Sequence, residues 1–425
     1  MNVHATTWDA VENPFWPSVA LLLRPLYLGM AFPSVLYLAA LTVFLFRPSE
    51  LYFYYADRIA FCILVFFVAL RILALREGFP FVARLSLPMA GLVALAVFRA
   101  AREPFDAVTW SVVASKFIVP FTLFHLAALV FRGAYERKHY EIFVVLAFAY
   151  LVFTSVAFLL DARSVIFPRF ILDESLGIHA DRARGPFLQA VANGLSLNLL
   201  GILALTLSGW RKKLGLLIWA VLPLAVLATM TRAVWISFVA STLALGLRVA
   251  HLRLRCLCLG LAFAGLLTGL AVGLSGRSLQ GALWDRTEER GPINVRMAVY
   301  DAGWAMFQER PFTGWTTDRM YAELARRMPG YHLRSFYVHN TYLSLLVEFG
   351  VPGLALYAIL FFNLFRLARG RTSALAGTTL LRRVWPILLG IYVFNAFFVD
   401  MAYQFVIGLV FTVAGMLCAT EEVAS

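Results

Sequence analysis

The sequence predicts an all-α polytopic membrane protein, with about twelve transmembrane helices and a helical cap on its outer face. Three observations predict it. Of the 425 residues, 61% are hydrophobic and 14% charged, against roughly 45–50% and 25% in soluble domains. The apolar residues fall in blocks of about 17–25, the length a helix needs to cross a bilayer core of roughly 30 Å. The short alternating segments of an outer-membrane barrel are absent from the sequence.

In chain order the expected spans are 29–46, 59–75, 85–99, 109–131, 141–160, 188–208, 214–230, 232–248, 256–275, 341–365, 383–399 and 401–418. Residues 1–275 then hold the first nine helices, with a short outer loop at 161–187. Residues 276–340 form a long outer loop with amphipathic helices. Residues 341–425 hold the last three helices and a tail. The first 28 residues show no basic n-region or small-residue cleavage site, so no cleaved signal peptide is expected. Cys62, Cys256, Cys258 and Cys418 sit in or beside spans, as small packing residues rather than a disulfide or zinc framework.

Positive charge marks alternate connections: Arg76 and Arg84; Arg132, Arg137 and Lys138; Arg211, Lys212 and Lys213; Arg248, Arg253 and Arg255; and Arg366, Arg369, Arg371, Arg382 and Arg383. The positive-inside rule places these and both termini in the cytoplasm. Both long loops then face outward, to the periplasm of a Gram-negative inner membrane. Nucleotide-activated donors are absent there, so an enzyme on that face needs a substrate already activated on a lipid carrier. The net charge of +13 suits anionic membrane lipids and anionic substrates. Nucleic acid is excluded as a partner of a periplasmic face.

The long loop carries nine arginines and no lysine: Arg277, Arg286, Arg290, Arg296, Arg310, Arg319, Arg326, Arg327 and Arg334. A guanidinium fork suits bidentate contact with phosphate, although Asp285, Glu288, Glu289 and Glu309 are there to pair with some of them. Asn294 is placed to cap a helix over 295–309, with Trp304 and Phe307 on one face. Pro311 and Gly314 break it. A second helix from Thr317 aligns Met320, Tyr321, Leu324 and Met328 on one apolar face. Two such helices make a cap over the bundle.

Ionisable groups at membrane depth are functional candidates by default. Lys116 lies roughly 10 Å into a span from its outer end. Arg232 sits in a tight outer turn, and Arg182 and Arg184 immediately precede another span. His339 opens a long apolar helix, with Asn340 and Thr341 available as caps. The helix start and nearby arginines favour its neutral ring, the form that accepts a proton. A solvated or capping histidine is the simpler reading of the same position. Glu348 is about 900° of helix further on and about 13 Å deeper, so it is expected as a packing or cavity group rather than the partner of His339.

The stretch HNTYLSLLVEFGVPG (339–353) resembles the signature of the O-antigen ligase and polymerase superfamily: a histidine ending a long periplasmic loop, then a span with a glycine break. RMAVYDAGWAMFQERPFTGW (296–315), TRAVW (231–235) and RARGPFLQAVANG (182–194) resemble further elements of that family, in matching order. The resemblance implies a glycosyltransferase, and most resembles a ligase. Such ligases join a polysaccharide on undecaprenyl diphosphate to the lipid A–core of lipopolysaccharide. It implies His339 as base, and Arg184 and Arg232 as diphosphate contacts. Arg286, with Lys116, Arg182 and Arg290 behind it, is added from charge and location.

Neither outer loop contains an Asp-x-Asp motif, and the pairs Asp173-Glu174 and Glu288-Glu289 have arginines nearby. No metal site and no cofactor are therefore expected, since magnesium needs free oxygen ligands. One base and no carboxylate nucleophile imply a single inverting displacement. A polymerase of the same superfamily and a flippase of lipid-linked sugars are the alternatives. The flippase accounts for the spans but not for a histidine at the loop–helix junction or for the long cap.

Overall fold

The computed structural model describes residues 26–46, 55–177, 179–207, 209–249, 291–328, 337–369 and 378–422, with isolated positions at 24 and within 252–263. Thirteen helices are named here: α1 (Pro33–Leu45), α2 (Ala56–Leu75), α3 (Ala83–Ala100), α4 (Ala107–Val130), α5 (Ala134–Leu159), α6 (Ala190–Ala204), α7 (Gly209–Ala228), α8 (Arg232–Arg248), α9 (Gly291–Glu309), α10 (Thr317–Arg326), α11 (Thr341–Arg366), α12 (Thr378–Asn395) and α13 (Gln404–Glu422). No strand occurs among the described residues. Helices lie over eleven of the expected spans; the segment 256–275 falls almost wholly outside the described residues. Among the described residues, α2, α3, α4, α5 and α11 are long and apolar enough to cross a membrane by themselves. Three further apolar helices, at 33–45, 190–204 and 404–419, are shorter.

The bundle is built around helices that are apolar on every side. α6 buries all but one of its residues, and α13 is buried along almost its whole described length. Such all-round burial marks a helix surrounded by other helices. α13 packs on α4, α5 on α7 and α6, α11 on α3, and α8 on α12. The asparagine amides of α6 donate within the bundle. Asn193 Nδ2 donates to Ser155 Oγ and to Ala183 O, and Asn198 Nδ2 donates to Ser237 Oγ at 3.2 Å.

The cap is the helix pair foreseen in the loop, with one change. α9 includes Gly291–Glu309, so Asn294 is an exposed helical residue rather than a cap. Met320, Leu324 and Met328 are buried against Val299, Met306, Val338 and Val347, so the cap's small core rests on α11. Trp304 and Phe307 pack as tilted rings with centroids 5.1 Å apart. Trp315 is held between two cations, with Arg310 at 4.1 Å and Arg327 at 5.6 Å from its ring.

Two glycines lock this cap into the bundle. α11 is broken at Gly350, whose φ is 65°. A break leaves carbonyls in the preceding turn without helical partners, and these must be met elsewhere. Trp315 N donates to Val347 O at 2.8 Å, and Arg99 donates to Glu348 O. Beyond the break, Val351 N donates to Pro311 O at 2.7 Å. The Pro311–Trp315 turn thus takes up the bonds that α11 gives up. A Cβ on Gly350 would lie 2.5 Å from Pro311 O, and one on Gly314 would lie 2.5 Å from Glu348 O. Gly350→Ala is expected to lose about 1–3 kcal/mol from backbone strain alone, with steric displacement of the cap in addition. Its check is thermal unfolding together with limited proteolysis of 291–328; wild-type melting and cleavage would contradict the interlock.

Candidate functional site

His339 sits where three elements meet. Its φ is +47°, a left-handed conformation that histidine tolerates better than most residues. The next residue, Asn340, caps α11, its side chain accepting from Tyr342 N and Leu343 N. Thr341 then stitches the helix start to the turn between α12 and α13. Its N donates to Ala396 O at 2.8 Å and its Oγ1 to Val399 O at 2.9 Å, and it accepts from Met401 N. Tyr300 of α9 donates to Phe397 O in the same turn. These bonds carry Arg296, His339 and Asp400 to one place.

The electrostatics of that place favour a neutral imidazole. Much of the His339 surface is open to solvent, yet the protein crowded around the ring desolvates it and lowers its pKa below the usual value. Arg296 lowers it further, and Asp400 opposes this. Neither Arg296 nor Asp400 stood out in the sequence as a site residue. Arg296 was one arginine among nine, and Asp400 is a single acid between two apolar runs.

Behind Asp400 lies a buried charge relay. Lys116 Nζ donates to Asp400 Oδ2 at 2.7 Å and lies 3.8 Å from Glu348 Oε2. Glu348 Oε1 accepts from Thr317 Oγ1 at 2.5 Å. Local sequence explains the placement of Lys116. Pro120 cannot donate to the carbonyl four residues back and its ring crowds that carbonyl. The helix answers with a π turn over Ala114–Ile118, in which Val119 N–H donates to Ala114 O. Such bulges recur at functional sites.

The predicted diphosphate contacts fare differently. Lys116 is engaged with Asp400 and Glu348, not presented at the surface. Arg184 is buried and serves as a strut, its guanidinium donating to Ile171 O, Asp173 O and Leu176 O. A phosphate would have to displace those bonds. Arg182 is largely buried, with Nε 3.8 Å from Asp181 Oδ2. Arg232 begins α8, half-buried. Backbone and side-chain bonds tie the arginine elements together: Ala183 N donates to Ala228 O at 2.9 Å, and Tyr403 OH donates to Gln189 Oε1 at 3.1 Å. Through Tyr403 they join the turn that holds Asp400. Arg286 and Arg290 lie outside the described residues. Glu348 is a buried cavity group, as expected, and its link to the His339 region runs through Lys116 and Asp400.

Fold and site together define a multi-pass membrane protein with a polar, cation-bearing site at one end of its bundle, covered by a loop-borne cap. Residues 215–358 match the family described as O-antigen ligase. Members of that family are glycosyltransferase-like enzymes that act on lipid-linked sugars. The matched segment includes Arg232, the cap, His339 and the Gly350 break. No curated protein matches the chain.

Proposed function

We propose that the protein is an O-antigen ligase of the bacterial inner membrane, with its site on the periplasmic face and both termini in the cytoplasm. It transfers a polysaccharide from undecaprenyl diphosphate to the lipid A–core of lipopolysaccharide. The observation that carries this reading is the setting of His339. A desolvated imidazole, kept neutral beside Arg296, stands just before the Asn340 cap of α11, on the arginine-bearing face.

His339 takes the proton of the acceptor hydroxyl as that oxygen attacks the anomeric carbon. The bond from that carbon to the diphosphate oxygen breaks, and undecaprenyl diphosphate leaves with the electron pair. Arg296, Arg182 and Arg232 meet the charge that develops on the diphosphate, as preorganised donors in a partly dry site. Arg286 and Arg290 are further candidates for this role. Arg184 holds the 161–187 loop that presents Arg182. A single displacement inverts the configuration at the anomeric carbon. The cationic side chains do what a metal would otherwise do.

The test is reconstitution in detergent, without ATP and with EDTA, using purified protein, lipid-linked polysaccharide and rough lipopolysaccharide. A new ladder on lipopolysaccharide with an inverted linkage is expected. A longer lipid-linked glycan formed without lipopolysaccharide would make the protein a polymerase. Activity lost to EDTA and restored by magnesium would overturn metal independence.

A further inference from the structure

The end of α3 that meets the cap carries a group of cations. Arg102 follows α3 and lies over the Phe98 ring, 4.2 Å from its centroid, and Arg310 of the cap lies over Trp315. Both arginines are exposed. Both bear as like charges on Arg99, which donates to Trp315 O and Glu348 O. Arg99 and the Arg319–Glu103 pair join the α3–α4 connection to the cap. Guanidiniums drawn together in this way repel one another unless an anion stands among them.

Acids on the same segments are engaged elsewhere. Glu103 pairs with Arg319 at 3.1 Å. Glu309, which also feels Arg310, pairs with Arg327 at 2.7 Å, and Glu323 pairs with Arg326 and Arg327. Asp106 caps α4 through Val108 N and Thr109 N. Glu348 offsets the charge of Arg99 in part, but its carboxylate lies against Lys116 and Thr317. The side chains of Arg102 and Arg310 have neither a carboxylate nor a hydrogen-bond partner among the described residues. A guanidinium laid on a ring still presents its in-plane N–H edge. Two such edges remain open, one on each of two segments that meet.

That pair suits a phosphate, whose oxygens accept from both forks. The setting identifies its source. α3 is long and apolar enough to cross a membrane, so its end reaches headgroup depth. Phe98, Phe105 and Phe312, on the same two segments, are exposed by 54%, 81% and 70%. Aromatic rings at that depth lie among lipids, whereas a soluble anion gains nothing from them. We infer that Arg102 and Arg310, with Arg99 behind them, bind the phosphate of a membrane-lipid headgroup, which bridges the α3–α4 connection to the cap. The bound lipid then helps to hold the cap on the bundle. The inference does not depend on the transfer reaction.

The test titrates the full chain in detergent with phosphatidylglycerol, and separately with phosphatidylcholine of the same acyl chains. Native mass spectrometry reads the bound lipid. Phosphatidylglycerol is expected to bind more tightly, because the choline cation of the other lipid faces like charge. Arg102→Gln and Arg310→Gln should each weaken phosphatidylglycerol roughly fivefold, the factor one cation at a membrane surface commands, and leave phosphatidylcholine unchanged. Arg102→Gln alters an exposed side chain outside the cap, which keeps the test open if Arg310→Gln disturbs Trp315. Equal affinity for the two lipids, or phosphatidylglycerol affinity unchanged in Arg102→Gln, overturns the site. Displacement of the lipid by millimolar inorganic phosphate would make this a site for soluble anions and overturn the lipid assignment. The bridge is read in nanodiscs by limited proteolysis of 291–328. Phosphatidylglycerol should slow cleavage of wild type relative to phosphatidylcholine, and should not do so in Arg102→Gln. Equal cleavage of wild type in the two lipids overturns the bridge.

Discussion

His339→Ala is expected to end glycan transfer while the protein still inserts and accumulates. A positioned general base contributes roughly 10²–10⁴-fold, and alanine leaves no group at that position to take the acceptor's proton. Asn340 supplies the cap of α11 and Thr341 the tether to the α12–α13 turn, so neither depends on the imidazole. The fold should therefore survive. Lipopolysaccharide from cells carrying only this variant is expected to lack the polymer ladder, with membrane levels of the protein close to wild type. A normal ladder would remove His339 from the role of base. Loss of the protein itself would show that the residue is needed for folding.

Lys116→Met is expected to be the most destabilising single change in the bundle. The ammonium is almost fully enclosed and lies between the carboxylates of Asp400 and Glu348. Methionine fills a similar volume and removes the charge. Two acids then face each other without a cation, in a setting where water cannot replace it. Removing one partner of a buried ion pair costs about 3–5 kcal/mol. The check is thermal unfolding in nanodiscs. Lys116→Met should melt well below wild type, and adding Asp400→Asn should recover part of the loss, since it removes one of the stranded charges. Equal melting of the single variant and wild type would show that Lys116 is not what balances these acids.

The parts of this site that could be read from sequence are those whose signal is local. A histidine between a long loop and an apolar run is visible without coordinates, and so are a tight Thr-Arg turn and the amphipathic face of Met320, Leu324 and Met328. Groups that act through distant partners are not visible. Lys116 and Asp400 are separated by 284 positions, and only the return of α13 against α4 brings them together. Lys116 therefore read as a lone membrane cation with a substrate to bind. Arg184 read as a phosphate donor because its partners are backbone carbonyls, which leave no trace in side-chain composition. Arg99 read as the end of a span, yet it is the group that meets a carbonyl freed by the Gly350 break. That break was legible as a glycine and a proline in an apolar run. Its interlock with Gly314 was not, because it depends on two backbones approaching from different elements.

The pH dependence of kcat/KM, measured on purified protein in EDTA with saturating acceptor, tests the central claim most directly. The base must be unprotonated to act, and burial and Arg296 hold the His339 pKa below its usual value of about 6.5. The rate should therefore be low in acid, rise through a single ionisation below pH 6.5, and be flat across neutral pH. The rising limb should be absent from whatever residual rate His339→Ala retains. A limb centred above pH 7, or one unchanged in His339→Ala, would contradict the assignment of His339 as the base.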